Sequence, residues 1–427
     1  MSLDSLVVVH TVEYTRRRTR PAEVLLRFRS ARVMEGQRRM LSRSKSSNHG
    51  LVNEFSTDAS LCRFKPDKEG ELQYTGISQS AIREMALCTE LSHENVIRLV
   101  EIILESKCIF MVFEYAEHDL LQIVHWHTQH PRTPIAAATL RSVIYQLLDG
   151  LLYLHRNWIL HRDLKPANIM VTSSGRVKIG DLGLARIFHK PLQALFSGDK
   201  VVVTIWYRAP ELLLGSRHYT TAIDTWAVGC IFAELLSLRP IFKGEEAKQD
   251  SKKSVPFQRN QMCKIAEVLG VPKKEQWPLL TSMSEYSQLP TLQAASPGVL
   301  RPTGLDKWWD NVLKNGNYKS SSAAVSSTGP PPHRDGLALM KSLLEYDPLK
   351  RLSAEQALEH PYFQHDETYG TTCRPSSDCF DTIEHKYPAR KVSSEDNDIR
   401  TGSLPGTKRS GLPDDSLLRP AKRLKEG

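Results

Sequence analysis

From Thr139 to Tyr153 apolar residues recur at three- and four-residue spacing: Leu140, Val143, Ile144, Leu147, Leu148 and Leu151. That is the helical period, and so broad a stripe predicts a core helix of a mostly helical unit. A second helical pattern runs from Ser78 to Leu91, with Ile82, Met85, Ala86 and Leu91 on or near one face. Between the two the pattern changes. Val96 to Val100 and Cys108 to Phe113 are short apolar runs rich in β-branched and aromatic residues, which predict strands. Ile169-Met170-Val171 and Val177-Lys178-Ile179 flank Ser174-Gly175 and predict a hairpin. Lys243 to Met262 reads as a polar insertion, and the Ser/Pro-rich stretch Ser320 to Pro332 as a loop.

The two ends lack any such period. Residues 1–50 hold ten arginines and one lysine against four acids, so the net charge of +9 is largely a property of this front segment. Arg16-Arg17-Arg18-Thr19-Arg20, Arg38-Arg39 and the stretch Ser42 to Ser47 read as a solvated segment without regular structure. A nucleic-acid arm, a localisation signal and an organellar transit peptide are the alternatives. The four acids and the missing amphipathic repeat argue against the last. Direct nucleic-acid binding by the rest of the chain is not expected. Residues 364–427 are rich in Ser, Asp, Pro and Gly and are expected to be disordered. Within them Lys408-Arg409 and Lys422-Arg423-Leu424-Lys425 resemble a two-part nuclear localisation signal, which points to the nucleus.

Composition narrows the classes further. Hydrophobic residues at 40% and charged residues at 25% are ordinary for a protein with a sizeable core. No apolar run reaches the ~18 residues that cross a bilayer. Leu6-Val7-Val8-Val9 is too short for a secretory signal and has no basic region before it. The seven cysteines are scattered with no CxxC pair, which indicates neither a disulfide framework nor a zinc site and fits a reducing compartment. His125, His127 and His130 lie close in sequence, but no carboxylate or thiolate completes a metal site.

The chemistry is concentrated in one stretch. His161-Arg162-Asp163-Leu164-Lys165-Pro166-Ala167-Asn168 is followed by Asp181-Leu182-Gly183 and by Ala209-Pro210-Glu211. A carboxylate, a lysine, an amide and a second carboxylate at this spacing are what phosphoryl transfer from a magnesium nucleotide requires. Asp163 is the candidate acceptor of a substrate hydroxyl proton, and Lys165 the candidate holder of the transferring phosphoryl group. Asn168 and Asp181 offer the hard oxygens that magnesium prefers.

These motifs resemble those of eukaryotic protein kinases from about Phe64 to about Phe363. Ser80-Ala81-Ile82-Arg83-Glu84 looks like the cyclin-contacting helix of cyclin-dependent kinases. Closer still, the chain resembles the fungal cyclin C-dependent kinase of the Mediator complex. The resemblance implies an α+β, two-lobed kinase fold over residues 62–363. Residues 62–115 would form a partial β-rich amino lobe, and residues 116–363 a mainly helical carboxyl lobe. It implies ATP with Mg2+, and a hinge in which the backbone at Glu114 and Ala116 receives adenine, Phe113 is the gatekeeper and Asp119 binds ribose. Glu84 is implied to pair with a lysine of the third strand. Thr204 is implied to touch Asp163 and Lys165. Arg208 is implied to favour proline after the target residue. Asp199 stands where the family carries a phosphorylated threonine, whose phosphate would meet Arg162, Arg186 and Arg83. Loop phosphorylation is therefore not expected to be required, and the loop is expected to depend more on a partner. Glu211 is implied to pair with Arg351, and Asp224 to hold the backbone of the catalytic loop. The implied partners are a cyclin C-type cyclin and Mediator kinase-module subunits; the implied substrates are Ser/Thr-Pro sites, including the heptad tail of RNA polymerase II.

The front end departs from the pattern. No G-x-G-x-x-G-x-V run precedes residue 62, and Cys62 stands in the place of the third-strand lysine. Arg63 and Lys65 flank it but alternate to the opposite strand face. Family-like sequence begins abruptly near Phe64. Residues 1–61 are therefore expected to come from a misassigned start or a retained intron; the alternative is a lineage that lost its glycine loop. The competing functional reading is a pseudokinase that scaffolds cyclin C and Mediator without turnover. A third is a basic nucleic-acid-binding module in residues 1–50.

Overall fold

The computed structural model describes residues 7–12, 28–33, 64–66, 72–74, 79–105, 108–129, 133–188, 193–194, 204–216, 218–245, 257–315, 332–364 and 387. Strands β1 (Val7–Val12), β2 (Phe28–Val33), β3 (Phe64–Pro66) and β4 (Leu72–Tyr74) precede helix α1 (Gln79–Glu90). Strands β5 (Leu99–Glu105), β6 (Cys108–Glu114) and β7 (His118–Asp119) follow, then helices α2 (Leu120–Gln129) and α3 (Ala137–Arg156). Strands β8 (Ile159–Leu160), β9 (Ile169–Val171) and β10 (Val177–Ile179) lead to α4 (Ala222–Ser237), α5 (Arg259–Leu269), α6 (Leu305–Asn315) and α7 (Arg334–Leu343).

A four-stranded sheet in the order β2-β1-β6-β5 forms the strand-rich part. Its pairs are antiparallel, with Val7 opposite Glu114 and Val12 opposite Ile109. Within residues 1–61, expected to lack regular structure, the described stretches Val7–Val12 and Phe28–Val33 are strands. Val7–Val12 reads VVVHTV, four valines and a threonine, a β-branched composition that favours a strand despite the arginines around it. The strand beside β6 is thus β1, which holds no lysine; Cys62 and Arg63 lie outside the described residues, and Lys65 falls in the separate β3–β4 hairpin.

The strand expected from Val96 begins instead at Leu99. Residues 95–97 are drawn to the helical part of the chain: Ile97 N–H donates to Ile179 O at 2.8 Å, and Ile179 N–H to Asn95 O at 2.8 Å. Helix α3 runs so close here that a Cβ on Gly150 would stand 2.6 Å from Asn95 O. A glycine is what lets the two parts meet at this point.

Helix α3 buries Leu140, Val143, Ile144, Leu147, Leu148 and Leu151, the residues its periodicity singled out. Helix α4 is buried along all of its length, including Trp226 and Phe232. A helix apolar on every side belongs at the centre of a helical layer, and α4 does so with α3 and α7 packed on it. The polar insertion expected to reach Met262 is cut short by α5. Gln261, on the first turn of that helix, is fully buried because its side chain satisfies backbone groups: it accepts from Gly244 N–H and donates to Phe242 O, each at 3.0 Å. The described residues contain no helix long and apolar enough to cross a membrane.

Candidate active site

The catalytic stretch is held from below by Asp224 on α4. Its carboxylate is buried and accepts from the backbone N–H groups of His161 and Arg162, each at 2.9 Å, and from His155 Nε2 at 3.0 Å. Burial pushes the Asp224 carboxyl up, but the hydrogen bond and charge of His155 and the field of His161 together bring it below its ordinary value. The brace has something to oppose. Arg162 sits at φ 69°, a left-handed conformation that costs a non-glycine residue on the order of 1 kcal/mol or more. The strain fixes how the following residue, Asp163, is presented.

Asp163 gathers the other groups. Lys165 Nζ lies 2.6 Å from Asp163 Oδ2, and Asn168 Nδ2 donates to Asp163 O at 2.8 Å and to Oδ2 at 3.2 Å. Thr204 reaches the second oxygen, Oδ1, through its backbone N–H at 3.4 Å. The contact with Asp163 implied by resemblance is thus made through the Thr204 backbone. His161 ties the loop to the hairpin: its Nδ1 accepts from Asp163 N–H at 3.2 Å, so Nε2 carries the hydrogen donated to Gly180 O at 2.9 Å.

The β9–β10 hairpin then delivers Asp181. Ile169 pairs with Ile179, and Gly180 N–H donates to Asn168 O at 2.9 Å, which sets Asn168 and Asp181 at the same end of the ladder. Asp181 is exposed and, like Arg162, adopts a left-handed backbone, at φ 57° and ψ 72°. Among the described residues its carboxylate accepts one hydrogen bond, a long one from Gly183 N–H at 3.4 Å. An amide oxygen and an open carboxylate are donors that fit magnesium, with a nucleotide's own oxygens completing the shell. Among the described residues no group of three or more His, Cys, Asp or Glu side chains converges.

Glu84, on α1, is turned inward and only 4% exposed. Burial and the nearby charge of Asp181 push its carboxyl up to about 8. Its Oε2 is buried without a hydrogen-bond partner. That orphaned oxygen marks the place where a cation belongs, and among the described residues none fills it.

On the hinge side, Phe113 and Ala116 are buried and Glu114 ends β6. The Glu114 side chain is engaged by Lys178 Nζ at 2.7 Å and by Arg98 N–H at 2.8 Å, which ties the hinge strand to β10. Asp119 is buried, and its Oδ1 accepts from Gln122 N–H at 2.8 Å, so it caps α2 as well as standing at the expected ribose edge. Arg186 Nη1 donates to Ala185 O, Arg162 and Arg208 are buried, and Arg83 is half-buried; Asp199 lies outside the described residues. Glu211 and Arg351 meet in a buried two-point contact at 2.8 and 2.9 Å.

Sequence reasoning missed one support beneath the segment that carries Thr204. Tyr207 donates its hydroxyl to Glu234 Oε2 on α4 at 2.6 Å, and burial pushes the Glu234 carboxyl up to about 7. A folded value above the ordinary 4.5 means that the native state holds this proton more tightly than the unfolded chain does. The stability it contributes is therefore largest below about pH 4.5 and is lost as pH rises to about 7. Glu234→Gln is expected to flatten the fall in Tm across that window. A fall as steep as in the parent chain would assign it to other groups.

Comparison with known proteins agrees with this geometry. Residues 63–363 match the family model described as a protein kinase domain. The serine/threonine-protein kinase SSN3 of Phaeosphaeria nodorum is 68% identical over 384 residues, 89% of this chain and 83% of that protein. The ssn3 kinase of Aspergillus niger is 66% identical over 382 residues, 88% of this chain and 86% of its own length. Among solved structures, one titled as the crystal structure of the yeast RNA Pol II CTD kinase CTDK-1 complex matches with a TM-score of 0.55 at 30% identity, covering 72% of this chain and 89% of that one. The braced loop at Asp163, the hairpin that ends in Asp181 and these relatives together make the chain a member of the protein kinase family, a serine/threonine kinase of the cyclin-dependent type.

Proposed function

We propose that the chain phosphorylates serine or threonine followed by proline in transcription proteins, the heptad tail of RNA polymerase II among them, as the nuclear cyclin C-dependent kinase of Mediator. The observation that carries the chemistry is the set of contacts centred on Asp163. Its Oδ2 is committed to Lys165 and Asn168, whereas Oδ1 receives only the long bond from Thr204 N–H. Oδ1 is then the freer oxygen, on the side of the segment that would present a substrate. It accepts the substrate hydroxyl proton as that oxygen bonds to the γ-phosphorus and the bond to the ADP oxygen breaks. Lys165 balances charge on the transferring group, and Asn168 and Asp181 would hold Mg2+. The ion, when bound, neutralises phosphate charge that grows on the leaving oxygen. Phe113, Glu114 and Ala116 would form the adenine edge, and Arg208 the seat for the following proline.

The partner reading rests on an apolar surface. Trp158, Leu184 and Ile187 are 52%, 38% and 47% exposed, and Trp158 packs edge-on against Phe188 at 5.4 Å. Large exposed apolar residues suit a protein partner, and the turn that holds Leu184 packs on α1. A cyclin seated there would hold Glu84 inward and order the segment that contains Asp199. Phosphate transfer to a heptad-repeat peptide is expected to depend on added cyclin C-type cyclin. Ile187→Glu is expected to weaken cyclin affinity about tenfold or more, since it buries a charge. Cyclin-independent transfer, or unchanged affinity, would overturn this assignment.

The pseudokinase reading is favoured by one observation, the buried and unpartnered Oε2 of Glu84. Binding of Mg-ATP by the cyclin complex separates the two readings.

A further inference from the structure

Tyr387 lies beyond the kinase-family match that ends at residue 363, yet it sits in a box made by the hinge end of the fold. Its ring meets Trp126 edge-on at 5.1 Å and His118 at 5.9 Å, and lies 5.5 Å from His127. Its hydroxyl is 2.8 Å from His127 Nε2. The other nitrogen of that imidazole, Nδ1, faces Thr133 O at 2.8 Å and must therefore carry hydrogen. In the neutral ring Nε2 is then an acceptor, and Tyr387 is the donor. His127 is 7% exposed and His118 2%, so the contact is built into the fold rather than laid on its surface.

The box touches the elements that border the nucleotide cleft. Trp126 and His127 belong to α2, whose first turn is capped by Asp119. His118 and Asp119 form β7, which pairs with β9 at Val171 and Met170, directly after Asn168. Movement of α2 is thus communicated to Asp119 on one side and to the β9 ladder on the other.

We propose that Tyr387 is a latch that fixes α2 and β7, and through Asp119 positions the ribose edge of the cleft. Tyr387 is a positioning residue and touches no reacting atom. The assignment of the ribose edge rests on the kinase reading above; the latch itself does not.

The test uses the full chain with its cyclin. Hydrogen exchange is followed in peptides spanning residues 118–129 without nucleotide, and KM for ATP and kcat are measured in parallel. Tyr387→Ala removes both ring and hydroxyl and is expected to raise exchange there about tenfold, as loss of a hydrogen bond and an aromatic pair implies. KM for ATP is expected to rise several-fold with kcat nearly unchanged. Tyr387→Phe, which keeps the ring, is expected to fall between the two. Exchange unchanged in Tyr387→Ala overturns the latch. Exchange raised with KM unchanged overturns its positioning role. If the parent chain shows no turnover, the kinase reading fails by itself, and exchange alone decides the latch.

Discussion

Asp163→Asn is expected to lower kcat for peptide phosphorylation by about two orders of magnitude or more while leaving ATP affinity within about twofold. Asparagine keeps the shape of the side chain and an oxygen for Thr204 N–H, but it cannot take a proton from the substrate hydroxyl. The loss should appear in kcat because the carboxylate contacts the nucleophile rather than the nucleotide. Stability should change little. The Lys165 ammonium lost as a partner is 25% exposed, and such half-solvated pairs contribute at most about 1 kcal/mol. The measurement is steady-state phosphorylation of a Ser-Pro peptide by the cyclin-bound chain, with a melting curve beside it. Retention of more than about a tenth of the parent rate would place the base elsewhere, since general-base removal costs far more.

The floor of the site was legible because it is local. Asp163, Lys165 and Asn168 share one loop, and their spacing alone places them on it. Asp181 was reachable by one more step, since Ser174-Gly175 set the hairpin register that carries it back to Asn168. Contacts distant in sequence were legible only through resemblance. Nothing in the periodicity joins Glu211 to Arg351, 140 residues on, or Asp224 to the catalytic loop. Contacts that the resemblance did not supply were not found at all. His127 read as one of a small cluster of three histidines, because its partner is 260 residues away. The strands Val7–Val12 and Phe28–Val33 were hidden for a different reason. Sheet pairing is non-local, and the arginines around these runs dominated a reading made from composition. Glu84 lies between these cases. Its pairing role followed from resemblance and its missing partner from Cys62, and the structure adds the unpaired oxygen.

Arg351→Met is expected to be the most destabilising single change among the charged groups described here, by about 3–5 kcal/mol. The reason is saturation. All five guanidinium hydrogens are used: two on Glu211, and the rest on the carbonyls of Ala222, Tyr346 and Glu345, at 2.8 to 3.2 Å. The guanidinium carbon also lies 5.0 Å from the Trp226 ring, which adds a cation–π contact. Removing the arginine strands a buried carboxylate and takes a charged donor from three carbonyls together. Glu211→Gln is expected to cost less, because the amide still accepts one hydrogen bond and every carbonyl keeps its donor. Adding Glu211→Leu to Arg351→Met should recover part of the loss, since the stranded charge disappears with its partner. Chemical denaturation of the parent, Arg351→Met, Glu211→Leu and the double variant closes the cycle. A double variant as unstable as the sum of the singles would show that the ion pair itself carries no coupling, and that Arg351 acts only through the carbonyls it binds.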